Sequence, residues 1–157
     1  MKTLTIFAIS AWLGMLGFLA AVVAPAAFGV LERPAAARLI AWVMPRYHWA
    51  ALGLGALGLA GMLLRRGEAA GGWIDRLPLV LVLVMLALTA VSLFVLLPQI
   101  EGLREAMLAA RTAGVTGSPE AARFGRLHAL SSLSGLGVLA AGAIVLILEA
   151  RRGGIAS

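Results

Sequence analysis

The sequence predicts an all-α integral membrane protein, a four-helix bundle with amphipathic helical extensions on the side opposite its termini. Three observations lead there. Of 157 residues, 62% are hydrophobic and 13% charged, with a mean hydropathy of +1.01, against about 45–50% apolar and about 25% charged residues in soluble domains. A soluble chain of this length has too little interior to bury so many apolar side chains. Charged residues also divide the chain into four uncharged stretches, 3–31, 47–64, 77–100 and 127–148, each near or above the roughly 18 residues of a membrane-crossing helix. Finally, these are continuous runs of Leu, Ala, Val and Gly. They lack the alternation of a small barrel, and an open sheet would strand backbone groups in lipid.

Residues 4–30 form the first expected span. Lys2 precedes it and Ala24-Pro25-Ala26 resembles a small-residue cleavage region, but the apolar run over 4–23 is longer than the about 7–15 residues of a signal core. It reads as an anchor. Residues 35–44, opened by Pro34 and closed by Pro45, set Arg38 against Leu39, Ile40 and Trp42, as in a short separate helix lying at the interface. The second span covers 46–64 and the third 77–98. An extension over 99–111 places Ile100, Leu103, Met107 and Leu108 on one face and Glu101, Arg104, Glu105 and Arg111 on the other. Residues 112–118 read as a loop, with Ser118 as N-cap and Pro119 at the first helical position. The fourth span, 127–149, is preceded by an extension over 119–126. The whole of 1–157 is one domain with no soluble lobe.

Four spans place both termini on one side with Lys2, Arg65, Arg66, Arg76, Arg151 and Arg152. Arg33, Arg38, Arg46, Arg104, Arg111, Arg123 and Arg126 lie on the other. The terminal-side charges crowd the span ends, which favours cytoplasmic termini in a bacterial-type inner membrane. The net charge of +6 therefore reflects span flanks, and no nucleic-acid partner is expected. With no cysteine, disulfides and thiolate chemistry are excluded.

Small residues at helical spacing serve close packing in lipid: Gly14 and Gly17 in the first span, Ala51, Gly55, Gly58 and Met62 in the second, and Ser131 with Gly135 and Gly137 with Ala141 in the fourth. Thr89 and Ser92 give the third a polar edge. The histidines are the only groups suited to titration near neutrality or to metal binding as imidazole. His48 and His128 open the second and fourth spans, both on the side opposite the termini. Arg46, Tyr47, Pro98, Gln99, Glu101, Arg123 and Arg126 fall at that level. His128, Ser131, Ser132 and Gly135 share a helix face, which turns His128 toward the bundle. Three readings stay open: interfacial anchoring with ordinary boundary residues; bis-histidine ligation of haem b through His48 and His128, with Arg46 and Arg126 near the propionates; and a polar entry site for a small ligand or proton in which Glu101 takes part.

No phosphate loop, paired-histidine metal motif or nucleophile elbow occurs, and the span cores hold no Asp, Glu, Lys or Arg, which argues against a pump. Met15, Met44, Met62, Met85 and Met107 are too scattered for a copper(I) site.

Four segments carry a resemblance: Trp12-Leu13-Gly14 with Phe18 and Ala24-Pro25-Ala26-Ala27-Phe28; Met44-Pro45-Arg46-Tyr47-His48; Leu97-Pro98-Gln99-Ile100; and Phe124-Gly125-Arg126-Leu127-His128-Ala129-Leu130-Ser131. In this order the chain resembles the transmembrane protein 205-like family, a group named for a membrane protein and otherwise a domain of unknown function. The resemblance leads one to expect an asparagine where Ser134 stands. More distantly the layout is similar to the copper-resistance D-like and J-type protoporphyrinogen oxidase membrane proteins, which implies haem or copper, although the first helix here has no histidine. The expectation is a non-enzymatic accessory or interaction subunit without resident cofactor or metal. Its partners would be the bilayer and another membrane protein or a second copy. Haem b or small-ligand binding, and solute or proton transport, are the alternatives.

Overall fold

The computed structural model describes residues 1–65, 73–113 and 119–151, and these are helical almost throughout. Helix α1 runs Lys2–Val30, as an α-helix over Lys2–Phe18, a π-helical segment Leu19–Val23 and a further α-helix Ala24–Val30. After an extended Leu31 and Glu32, α2 runs Arg33–Leu63, with Pro34 in its first turn where a missing N–H costs nothing. Helix α3 passes without a break through Trp73–Val91, a π-helical Ser92–Leu96 and Leu97–Thr112. Helix α4 is Pro119–Arg151.

Both π segments have the same cause. Pro25 follows one and Pro98 the other, each two residues beyond its end. A proline has no N–H to give the carbonyl four residues back and its ring collides with that carbonyl. For Pro25 and Pro98 those carbonyls belong to Ala21 and Phe94, the midpoints of the two segments. The chain widens there, with Ala24 N–H donating to the Leu19 carbonyl and Leu97 N–H to that of Ser92.

Pro45 behaves differently from expectation. It lies inside α2, so residues 35–44 are the first turns of the second rod and not a separate interfacial helix. Two side chains beyond the proline fold back onto carbonyls before it: Arg46 Nη1 donates to the Trp42 carbonyl at 2.7 Å and His48 Nδ1 to that of Met44 at 2.7 Å. Beyond Thr112, Ala113 N–H closes on the Ala109 carbonyl. The rest of the expected loop with its Ser118 cap, together with Arg66, Arg152 and the side chains of Leu108 and Arg111, lies outside the described residues.

Three stretches are long and apolar enough to cross a membrane: Lys2–Val30, Arg76–Met107 and Pro119–Arg151. Helix α2 falls short on composition. Arg33, Arg38 and Arg46 interrupt its first half, and Gly53, Gly55, Gly58 and Gly61 dilute the second.

The helices close a ring in chain order: each packs on its sequence neighbours, α4 returns to α1, and the diagonal pairs α1/α3 and α2/α4 scarcely touch. Ile9, Trp12, Tyr47, Ala51, Val82, Met85, Val138, Ala141 and Val145 form the core. Glycines lie at all four contacts. A Cβ on Gly55 would meet Leu86 at 2.5 Å and Trp12 at 2.7 Å; on Gly58, Ile9 at 3.2 Å; and on Gly137, Leu88 at 3.3 Å. A Cβ on Gly61 would likewise meet Thr5 Oγ1 at 2.6 Å, and one on Gly142 would meet Leu13 at 2.5 Å. Gly14, Gly17 and Gly135 have open space where their side chains would be; the first two lie off the contact lines, and Gly135 borders an internal cavity.

Candidate functional site

The polar groups buried in the ring gather at its two ends. At the end holding the N-terminus, Glu149 of α4 is wholly buried and accepts a hydrogen bond at 3.0 Å from Arg65 Nη2, just beyond α2. The same guanidinium donates to Thr5 Oγ1 at 3.4 Å and, through Nε, to the Gly61 carbonyl at 3.1 Å, while Thr5 donates to the Gly58 carbonyl at 3.4 Å. Three helices are thus tied by one ion pair. Sequence reading treats Glu149 only as the charge that ends a span. Its signal is present all the same: Ser131, Ser134, Val138, Ala141, Val145 and Glu149 recur every three or four residues on the inward stripe of α4.

At the other end His48 is 5% exposed. The Met44 carbonyl can only accept, so Nδ1 carries the proton in that 2.7 Å bond and Nε2 of the neutral ring is left as an acceptor. The imidazole stands edge-on to Tyr47, with ring centroids 4.9 Å apart. It lines a cavity of about 50 Å³ whose other polar walls are Thr89, Ser92, Ser131 and Ser134, closed by Leu16, Met44, Leu88, Gly135 and Val138. Thr89 and Ser134 donate to the Met85 and Leu130 carbonyls of their own helices at 2.9 and 3.0 Å. A pocket of this size holds a few water molecules, for which about 10–15 Å³ of probe-occupied space each is enough.

The expected constellation is dispersed. His128 is exposed and stacked on Phe124, 6.1 Å between centroids, and does not border the His48 cavity. The inward stripe of α4 passes through Phe124 and Leu127, which are half-buried, and leaves His128 and Ser132 outside. Glu101 pairs with Arg104 at 3.0 Å, and Arg104 also reaches the Ala37 carbonyl of α2 at 3.0 Å. Gln99 receives Arg123 at 3.5 Å, and Arg126 is exposed. Arg46 lies over the Trp42 ring, 3.5 Å from its centroid. Bis-histidine ligation does not fit this arrangement, because the imidazoles belong to diagonal helices, only one faces inward, and the space beside it is far smaller than a macrocycle. Among the described residues no group of three or more His, Cys, Asp or Glu side chains is placed to hold a metal ion.

A second concavity opens on the outer face between α1 and α2, with a volume of about 300 Å³. It is lined by Met15, Phe18, Leu19, Val23, Trp42, Val43, Arg46 and Tyr47.

Residues 7–109 match the family model for a domain of unknown function, DUF4149. That stretch reaches from α1 to the extension of α3 and contains three of the four resemblance segments; the fourth, around His128, lies beyond it. No curated protein and no solved structure matches the chain. The match spans well over half of the chain, which belongs to the DUF4149 family.

Proposed function

We propose that this DUF4149 protein is a four-span inner-membrane protein without catalytic activity, a small accessory or interaction subunit that works through its outer faces. The observation that supports it best is the closed interior. The polar space that the ring encloses beside His48 is about 50 Å³, too small for a substrate. No Asp, Glu, Lys or Arg lines it, as a mid-membrane transport site would require.

The packing of α2 supports its membrane passage. Its glycines lower its apolar content but serve contact with α1 through Gly58 and Gly61. It lies antiparallel against α1 and α3 over their apolar lengths, and a helix in that place crosses wherever they cross. Exposed Trp42, Trp49 and Phe94 at one end and Trp73 at the other match the aromatic belts of two interfaces. Cytoplasmic termini follow from the span-flanking charges, and a reporter fused to the C-terminus should then read cytoplasm.

The reading is tested on purified protein in liposomes and in native membranes. Proton and solute flux should be indistinguishable from empty liposomes. A photo-crosslinker replacing exposed Phe94 or Leu130 should give a discrete adduct with another membrane protein. Flux abolished by His48→Ala, or a Soret band lost in both His48→Ala and His128→Ala, overturns it.

A further inference from the structure

We propose that the groove between α1 and α2 binds one acyl chain of an anionic membrane phospholipid, with Arg46 holding the headgroup phosphate. The proposal deepens the outer-face reading given above and rests on the bilayer placement of the chain.

The groove walls are the apolar Met15, Phe18 and Val23 of α1 and the rings of Trp42 and Tyr47 on α2. At about 300 Å³ it reaches the lower end of the about 300–1,000 Å³ usual for ligand sites. It exists because both walls are irregular there. The π-helical segment Leu19–Val23 widens α1, and Pro45 interrupts the hydrogen-bond ladder of α2 at the same level. The walls therefore part where two regular helices would close.

Among the described residues one cation, Arg46, borders this apolar space. Arg46 is fixed at two points, by its 2.7 Å bond from Nη1 to the Trp42 carbonyl and by the Trp42 ring 3.5 Å beneath its carbon. The guanidinium is pre-organised, and among the described residues nothing else takes Nε and Nη2, which are left to bind phosphate oxygens. Trp42 is 59% exposed and belongs at the depth of lipid headgroups, so a chain in the groove brings its phosphate to Arg46.

Charge selects among occupants. A second copy docking here through a two-fold axis would set the same patch against itself and bring one Arg46 toward another. A neutral chain would leave the cation without a counter-charge. An anionic lipid satisfies both the groove and the guanidinium.

The test uses the full-length protein in a zwitterionic detergent, titrated with phosphatidylglycerol or phosphatidylcholine of matched chains, with retained lipid counted by native mass spectrometry. Phosphatidylglycerol should be retained about fivefold better, the ratio expected of one basic residue at an anionic surface. Arg46→Gln should bring the two lipids to parity while Arg126→Gln leaves the preference intact. Val23→Trp, which fills the groove from the other wall, should lower retention of both lipids. Equal retention by the wild-type protein, a preference that survives Arg46→Gln, or a dimer crosslinked through Phe18 and Trp42 overturns the proposal. If Arg46→Gln loses helicity by circular dichroism, Val23→Trp decides alone. Flux or haem results that sink the accessory-subunit reading leave the lipid ratio unmoved, so the two failures are distinguishable.

Discussion

The two ends of the bundle solve the burial of polar groups in opposite ways. Around Glu149 the helices close on the charge: Arg65 pairs it, Thr5 and Gly61 bind the guanidinium, and glycines bring the backbones together. Around His48 they part, through two π segments and a proline, and leave hydroxyl-lined space on one side of Tyr47 and an apolar groove on the other. A buried carboxylate needs its partner in contact, whereas a neutral imidazole with one bonded nitrogen tolerates a gap that water can fill. The first end is built for cohesion, and the second has room to bind.

Removing one member of the ion pair breaks that contrast most severely. Arg65→Met takes the guanidinium away from a carboxylate that is 1% exposed and should cost about 3–5 kcal/mol, read by unfolding in mixed micelles. The double variant Arg65→Met with Glu149→Leu should recover most of the loss; failure to recover would mean that Glu149 is held chiefly by other contacts. Next comes Gly55→Ala, whose new methyl meets the buried ring of Trp12 at 2.7 Å. It should cost about 1–3 kcal/mol and exceed Gly58→Ala, where the flexible end of Ile9 can yield.

At the open end the same assay should give smaller numbers. His48→Leu loses one hydrogen bond, worth about 0.5–1.5 kcal/mol. A loss as large as that of Arg65→Met would show that the cavity end is as cohesive as the other. His128→Ala, at an exposed ring, should stay within about 0.5 kcal/mol. Gly14→Ala, with open space around it, should be neutral or slightly stabilising through helix propensity.

Sequence was a good guide to depth and a poor one to rotation. Charges mark where the rods end, so the level of His48, Arg46 and Gln99 was legible, as was the close approach at Gly55 and Gly58. Which side of a rod faces inward depends on its neighbours. His128 and Ser131 lie within one turn, yet the inward stripe runs through Leu127. Gly14 and Gly17 have the same small-residue pattern as the packing glycines but sit off the contact line. The Arg65–Glu149 pair joins positions 84 apart, which no local pattern can announce. Pro45 reads in the sequence as a stop, yet α2 runs through it, with the Arg46 and His48 side chains folded back onto the turn before it.

The irregularities also have a mechanical consequence. Three rods carry a widened turn or a proline within the half that holds His48, while α4 runs Pro119–Arg151 as an unbroken α-helix. Each widened turn absorbs a surplus residue, about 100° of angular offset. Deleting Ala20 would take out that surplus residue and leave Phe28 and its neighbours on the face they now present. Helix α4 has no such slack. It is the ruler against which the others can slip, and any motion at this end should be measured from residues 131–149 as the stationary frame.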